Sequence, residues 1–225
     1  KAIDFGCGTG FMIDVMKDRF KEVYGVDITR AMMDRVDVSS GNIHLHESVA
    51  EKTPFDGDSF DFATAYSFMD HLADAEIFLR EVHRVLKKGG VFYSGLNPNR
   101  GFILTMDKAS QSAAKIDSTI VLREIQGALH NGEYYEKNFG LNGEILEKAE
   151  PLKTEGKGFD ADEMIRLARK VGFSEVTIEH EWFLGQGAVM HQESFEKADM
   201  IDGYLRSIMP ASAPLYKYLN FIFTK

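Results

Sequence analysis

Apolar residues along the chain change period several times, and the changes mark out its elements. Ala2, Ile3 and Phe5 form a short apolar run carrying Asp4, and Gly6, Gly8 and Gly10 follow on alternate positions, the pattern of a strand breaking into a loop. Phe11, Met12, Val15, Met16 and Phe20 then recur at helical spacing. Glu22 to Ile28 is a second apolar run that ends in the acid Asp27, at the expected end of a second parallel strand. Thr29 to Val38, with Met32, Met33 and Val36 on one side, predicts a short helix capped by Thr29. Residues 42–47 alternate like a strand, 60–65 read as a fourth strand, and Tyr66 to Leu72 as the loop at its C-terminal end. A helix is predicted over 74–86 with Ile77, Leu79, Val82 and Val85 facing the sheet, and Gly89-Gly90 turns the chain into a strand over 91–95.

The second half is less regular. Residues 99–158 form an insertion longer than an ordinary connection, in which Ile116, Ile120, Val121, Ile125 and Leu129 predict a helix over about 108–129, broken by Asn131-Gly132. Phe159 to Glu163 starts a further helix, with Met164, Leu167, Ala168 and Val171 as its buried face and Gly172-Phe173 as its close. Val176, Ile178, His180 and Trp182 alternate with polar residues as a half-buried strand does. A second insertion, 184–214, holds a helix with Phe195, Ala198, Ile201, Leu205 and Ile208 on one face, stopped by Pro210 and Pro214. Leu219, Phe221 and Phe223 make the last strand.

Composition narrows the function classes. The 225 residues, 44% of them hydrophobic, suffice for one domain, or one domain with an inserted subdomain. With 35 acids against 26 Lys and Arg the net charge is -9 and no dense basic run is present, which disfavours nucleic acid as the main partner. The single cysteine, Cys7, allows no intramolecular disulfide and fits a reducing, cytoplasmic compartment. It lies in a loop before a helix, where a thiolate is favoured, but packing of a small residue in a tight turn is the stronger reading. No apolar run is long enough to span a bilayer and no signal-peptide pattern is present, although a chain that opens inside a strand implies residues ahead of Lys1. His44 and His46 share one strand face without a third or fourth ligand nearby, so a solvated edge outweighs a metal pair, and no metal is expected.

The glycine loop carries the chemistry. Alternate glycines let backbone approach a ligand closely, because no Cβ intervenes. A dinucleotide fingerprint, G-x-G-x-x-G, requires glycine at position 11, where this chain has Phe11. A P-loop requires a Gly-Lys-Ser/Thr ending, which Thr9-Gly10-Phe11 lacks. Asp27, one strand later, can accept both hydroxyls of a ribose.

Together, Asp4-Phe5-Gly6-Cys7-Gly8-Thr9-Gly10 and Gly25-Val26-Asp27 resemble the class I S-adenosylmethionine-dependent methyltransferases. Glu51 to Phe55 with Asp58 to Phe62, and Glu81 to Gly90, resemble further landmarks of that family in the same order, so the likeness covers about residues 1–96. It implies an α/β fold: a doubly wound, mostly parallel seven-stranded sheet with a final antiparallel strand and helical insertions after the fifth and sixth strands. It implies a cofactor-binding core over 1–97, a substrate-side lid over 98–158, and completion of the core over 159–225 with a helical insertion near 185–214. The cofactor implied is S-adenosyl-L-methionine. Its expected contacts are Asp4, Gly6, Cys7, Gly8 and Gly10 in the first loop, Asp27 and Ile28 after the second strand, Val49 and Ala50 in the adenine-side loop, and Ala65 and Tyr66 at the end of the fourth strand. Val49 stands where the family usually has an acid, so Glu47, Ser48, Glu51 or backbone groups are alternatives for the adenine amino group.

Ligands of open parallel sheets sit at the C-terminal strand edge, which places methyl transfer near Tyr66 to His71. Ala65-Tyr66-Ser67-Phe68 lacks the Asn-Pro-Pro-Tyr pattern of members that methylate base or glutamine nitrogens. Asp70 and His71 are the candidate catalytic pair, since imidazole titrates near neutral pH and a carboxylate can orient it; cofactor binding or helix capping is the competing role. His130, Tyr134, Tyr135 and Phe139 of the insertion are candidates for lining an acceptor pocket, with packing or surface as the competing role. The expected activity is methyl transfer to a small-molecule acceptor through N, O or C, by a monomer or homodimer. The alternatives are a non-catalytic S-adenosylmethionine or S-adenosylhomocysteine binder, a protein methyltransferase, and a nicotinamide-dependent oxidoreductase.

Overall fold

A computed structural model of the chain describes residues 1–111, 118–128, 136–137, 140 and 149–225. His130, Tyr134, Tyr135 and Phe139 lie outside them. The strands are β1 (Ala2–Phe5), β2 (Val23–Asp27), β3 (Ile43–Glu47), β4 (Phe60–Tyr66), β5 (Leu86–Pro98), β6 (Glu175–Phe183) and β7 (Tyr216–Thr224), in the sheet order β3-β2-β1-β4-β5-β7-β6. β1 pairs in parallel with β2 and β4, β2 with β3, and β4 with β5. β7 runs antiparallel to its neighbours: Lys225, after β7, donates to Gly90 on β5, and Asn99, after β5, donates to Lys217 on β7, while Ser174 and Leu184 donate to Thr224 and Leu215 at opposite ends of the β6 pair. The strand order switches at β1, with β2 and β3 added on one side and β4 and β5 on the other.

The chain divides into two compact units. One comprises Lys1–Asn97, Asp162–Glu179 and Asn220–Lys225; the other comprises Pro98–Ala161 and His180–Leu219. In the first, every residue of β1 is buried, as a central strand covered on both faces requires. Aromatic edges tie its layers together: Phe5 meets Phe78 at 5.3 Å, Phe78 meets Phe92 at 5.9 Å, and Phe92 meets Phe223 at 6.0 Å between ring centroids.

Its helices are shorter than the apolar periods predict. α1 (Phe11–Met16) buries Ile13 and Met16 but leaves Phe11 and Val15 exposed. α2 (Arg30–Met33) has Thr29 at its cap position without a side-chain capping bond; the Thr29 amide donates instead to Asp27 Oδ1 at 2.8 Å. α3 (Ala75–Val85) is capped by Asp74, whose carboxylate accepts from the Glu76 and Ile77 amides. Ile77, predicted to face the sheet, is 53% exposed, and Phe78 takes its place, because the helix turns its 78-79-82-85 face inward. β5 begins directly at Leu86 and runs to Pro98, longer than predicted, with a register shift against β4 between Phe60 and Phe62.

The second unit packs α4 (Arg100–Ser110) and α5 (Thr119–Ala128) through Phe102, Met106 and Ile125. α4 precedes the single helix predicted over this stretch, and only α5 falls inside its bounds. Asn99 caps α4 by accepting from Gly101 at 2.9 Å, and its amide donates to Ala213 and Tyr216 carbonyls at 3.0 and 2.8 Å. This unit also holds α6 (Pro151–Thr154), α8 (Gln186–Gln192) and α9 (Phe195–Ser207), whereas α7 (Ala161–Val171) belongs, from Asp162 on, to the first unit. Ala198, Ile201 and Leu205 of α9 pack against Phe183 and Tyr216 as the period predicts, whereas Phe195 and Ile208 are exposed.

Candidate functional site

The loop after β1 is shaped by its glycines. Gly6, Gly8 and Gly10 all hold positive φ, at 68°, 51° and 94°, the last as the left-handed N-cap of α1. Gly6 also needs its bare Cα: a Cβ there would stand 2.0 Å from Cδ2 of Phe68, inside van der Waals contact. The loop is bound to the end of β2 by Gly6 and Cys7 amides donating to the Val26 carbonyl, at 2.8 and 3.0 Å.

Asp27 closes the arrangement. Its Oδ2 accepts from the Gly8 amide at 2.9 Å and its Oδ1 from the Thr29 amide at 2.8 Å. A carboxylate has about four lone-pair sites, so each oxygen keeps acceptor capacity for a further donor. Two adjacent oxygens held in this way are suited to a vicinal diol.

Beside this loop lies a cavity of about 210 Å³, lined from the C-terminal ends of four of the five parallel strands. Ser48, Val49, Ala50 and Glu51 follow β3, Val26, Asp27 and Ile28 end β2, Gly6 ends β1, and Phe68, His71 and Leu72 follow β4. Two carboxylates, Asp27 and Glu51, are among these residues and no Lys or Arg is. That balance favours cationic and hydroxylic ligands over phosphates, which are held by basic side chains and backbone amides.

Of the residues expected to bind a cofactor, Gly6, Asp27, Ile28, Val49 and Ala50 line this cavity, and so does His71 of the expected catalytic pair. Asp4, Cys7, Gly8, Gly10, Ala65, Tyr66 and Asp70 do not. Asp4 is 2% exposed and its carboxylate accepts from Thr64 Oγ1 at 2.6 Å, across the direct β1–β4 register pair. Burial pushes its pKa up to about 7, against the lowering effect of the Thr64 hydroxyl and with a further rise from the charge of Asp27. Cys7 is buried, its thiol pushed up to about 12 by desolvation and by the nearby charges of Asp4 and Asp27, so it is a neutral packed side chain, not a thiolate. Tyr66 stacks obliquely on Phe11, centroids 5.3 Å apart. Asp70 and His71 share the 3-10 turn Met69–His71, with Asp70 buried and His71 exposed.

Val49, where an acid was expected, is half exposed at the cavity; Ser48 and Glu51 line it too, whereas Glu47 does not. The loop holding these residues is fixed just downstream. Glu81, 7% exposed, accepts from the Thr53 amide at 2.7 Å and hydroxyl at 2.5 Å, and pairs with Arg84 at 2.7 Å. Arg84 reaches on to the Phe55 carbonyl at 2.8 Å. His44 and His46 lie on the edge strand β3 and are partly exposed, with ring centroids 4.7 and 5.8 Å from that of Tyr24. No group of three or more His, Cys, Asp or Glu able to hold a metal occurs among the described residues.

Sequence reasoning missed Phe68, Leu72 and Val26 as lining residues. The signal for Phe68 was its place in the loop after β4, where the sheet edge predicts ligand contact; for Val26 and Leu72 no local signal distinguishes cavity from core.

The fold and the cavity define an α/β protein with a cavity at the switch in strand order, lined by two carboxylates and by no Lys or Arg. Residues 3–94 match the family described as a methyltransferase domain. The chain is 34% identical over 100 residues to an uncharacterized methyltransferase of Bacillus subtilis, a match covering 41% of this chain and 38% of that protein. It is 32% identical over 109 residues to a ubiquinone biosynthesis O-methyltransferase of Pseudomonas entomophila, covering 44% of this chain and 45% of that protein. The chain thus spans less than half the length of these relatives. Among solved structures, an S-adenosylmethionine-dependent methyltransferase from Mesorhizobium loti superposes with a TM-score of 0.61 at 13% identity, over 100% of this chain and 90% of that one. Haemonchus contortus phosphoethanolamine N-methyltransferase 2, in complex with S-adenosyl-L-methionine, superposes with a TM-score of 0.57 at 16% identity, over 100% of this chain and 48% of that one. Residues 3–94 therefore match a methyltransferase domain, and the fold of the chain is the one seen in S-adenosylmethionine-dependent methyltransferases of known structure.

Proposed function

We propose that the chain binds S-adenosylmethionine in this cavity and transfers its methyl group to a small-molecule acceptor. The observation that carries the reading is the pairing of Gly6 and Asp27 in one cavity that offers carboxylates and no Lys or Arg. That set suits a nucleoside joined to a cationic arm and disfavours the pyrophosphate of a nicotinamide dinucleotide, as does Phe11 in place of a third fingerprint glycine.

Asp27 holds the ribose hydroxyls, pre-oriented by its bonds from Gly8 and Thr29. Ile28, Val49 and Ala50 give apolar surface to the adenine ring, with Ser48 and Glu51 as the polar groups available to its edge. Gly6 and the positive end of the loop face the amino-acid arm. Asp4, Cys7, Gly8, Gly10, Ala65 and Tyr66 act from behind this surface by holding the loop and the β4 end in place. The cofactor supplies a methyl group on a positively charged sulfur, a good leaving group. What the protein adds is alignment in a water-poor pocket, an effect worth up to roughly 7–11 kcal/mol. His71, exposed at the cavity, is the residue we assign to take a proton from a hydroxyl or amine acceptor, with Asp70 beside it in the same turn as the second member of the pair. The insertion 98–158 is the proposed source of acceptor contacts. The relatives named above support small acceptors, since their names specify ubiquinone biosynthesis and phosphoethanolamine.

A second reading, a binder without turnover, rests on Val49 in the place of the usual acid. Titration calorimetry with S-adenosylmethionine and S-adenosylhomocysteine, followed by a methyl-release assay over hydroxyl, amine and carbon-acid acceptors, separates the two. Absence of binding by either nucleoside would remove both.

A further inference from the structure

The ring of Phe68 is held from two sides. On one it rests directly on the bare Cα of Gly6, where a Cβ would stand 2.0 Å from Cδ2. On the other it meets the buried Phe78 edge-on, with centroids 5.6 Å apart and planes at 67°. Its remaining surface lines the cavity.

The order of the strands says what that surface faces. Lining residues run from the loop after β3, through Asp27 on β2 and Gly6 on β1, to Phe68 after β4. In a nucleoside the base leaves the ribose at C1′ and the 5′ substituent at C4′, on either flank of the ring oxygen, so the two extend in different directions from the diol. With the ribose at Asp27 and the base over the β3-side loop, the 5′ substituent extends over β1 and β4, toward Phe68. Resting on the cofactor reading above, we infer that Phe68 is the residue that distinguishes a sulfonium nucleoside from its neutral thioether, by presenting an aromatic surface to the positive sulfur. Aromatic rings attract ligand cations through their quadrupole, as in sites for quaternary ammonium groups. The neutral thioether gains only contact area from the same ring. Phe68 therefore favours cofactor over spent product and helps the site to clear between turnovers.

The test separates charge from shape. Fluorinated phenylalanines placed at position 68 alone weaken the ring quadrupole with little change in size, and Phe68→Leu removes the ring. Calorimetric Kd values for S-adenosylmethionine and S-adenosylhomocysteine are measured on each full chain. The expected result is a stepwise loss of S-adenosylmethionine affinity with fluorination, reaching roughly 2- to 30-fold, with S-adenosylhomocysteine affinity unchanged. Phe68→Leu then weakens both ligands, the sulfonium more. Equal changes for the two nucleosides across the fluorinated series, or none, overturn the inference while leaving the cofactor reading intact. Failure of the unmodified chain to bind either nucleoside overturns both.

Discussion

The carboxylate of Asp27 accepts the Gly8 amide at 2.9 Å, across nineteen residues of sequence. One side chain thereby ties the end of the second strand to the glycine loop after the first, and it lines the cavity from that tethered position. Asp27→Ala is expected to abolish measurable S-adenosylmethionine binding. Asp27→Asn, which keeps the shape but loses the charge, is expected to weaken binding by about 1.5–3 kcal/mol, on the order of 10- to 100-fold in a calorimetric Kd.

Gly6 and Phe68 are coupled by contact. Gly6→Ala forces a side chain into φ 68° and against the Phe68 ring, and is expected to cost about 2 kcal/mol or more in urea unfolding. In a Phe68→Ala background the contact part of that cost disappears and only the backbone strain remains. A coupling near zero in this double-mutant cycle would show that the ring does not rest on Gly6.

The Thr53–Glu81–Arg84 network fixes the loop downstream of Glu51. Glu81→Gln is expected to destabilise the fold by roughly 2 kcal/mol, the scale of a lost hydrogen bond to a charged group. Burial raises the Glu81 pKa, but bonds from Arg84 and Thr53 outweigh it and leave the carboxyl below its ordinary value of 4.5. A depressed acid contributes stability above the unfolded pKa and loses it as pH falls through the folded one. The stability difference between the parent chain and Glu81→Gln should therefore be constant above about pH 5 and shrink below pH 4.5, read by denaturant titrations at each pH.

Asp4 has the opposite sign. Burial lifts its pKa from 3.8 to about 7, so between those values the folded chain holds a proton that the unfolded chain has released. Its contribution to stability is complete below about pH 4 and declines as pH rises to 7. Asp4→Asn cannot titrate, and its unfolding free energy should lack that decline. Parallel pH profiles for the two chains would contradict a protonated Asp4.

His71→Ala is expected to lower kcat roughly 100-fold or more with a hydroxyl acceptor and to leave S-adenosylmethionine Kd close to that of the parent chain. An equal loss in Kd would make His71 a binding group and not a base.

Much of this site was legible locally. The glycine spacing, Phe11 and the strand-end Asp27 all lie within the first 27 residues, and they separate this loop from the dinucleotide and P-loop patterns before any fold is known. Alternation and helical period likewise located all seven strands and α3, because burial on a sheet or helix face repeats with the backbone's own geometry. Helix length was less legible: α1 and α2 stop early where the apolar pattern continues, since packing, not propensity, ends them.

What the sequence alone determined is the class of ligand and the order of elements, both written in local spacing. Only the tertiary structure decided which side chains line the cavity. Asp4 and Phe68 stand at the ends of neighbouring strands, yet Asp4 turns inward to Thr64 while Phe68 lies over Gly6 at the cavity. That division depends on strand order, register and the direction of each turn, which are set by contacts between residues some sixty positions apart.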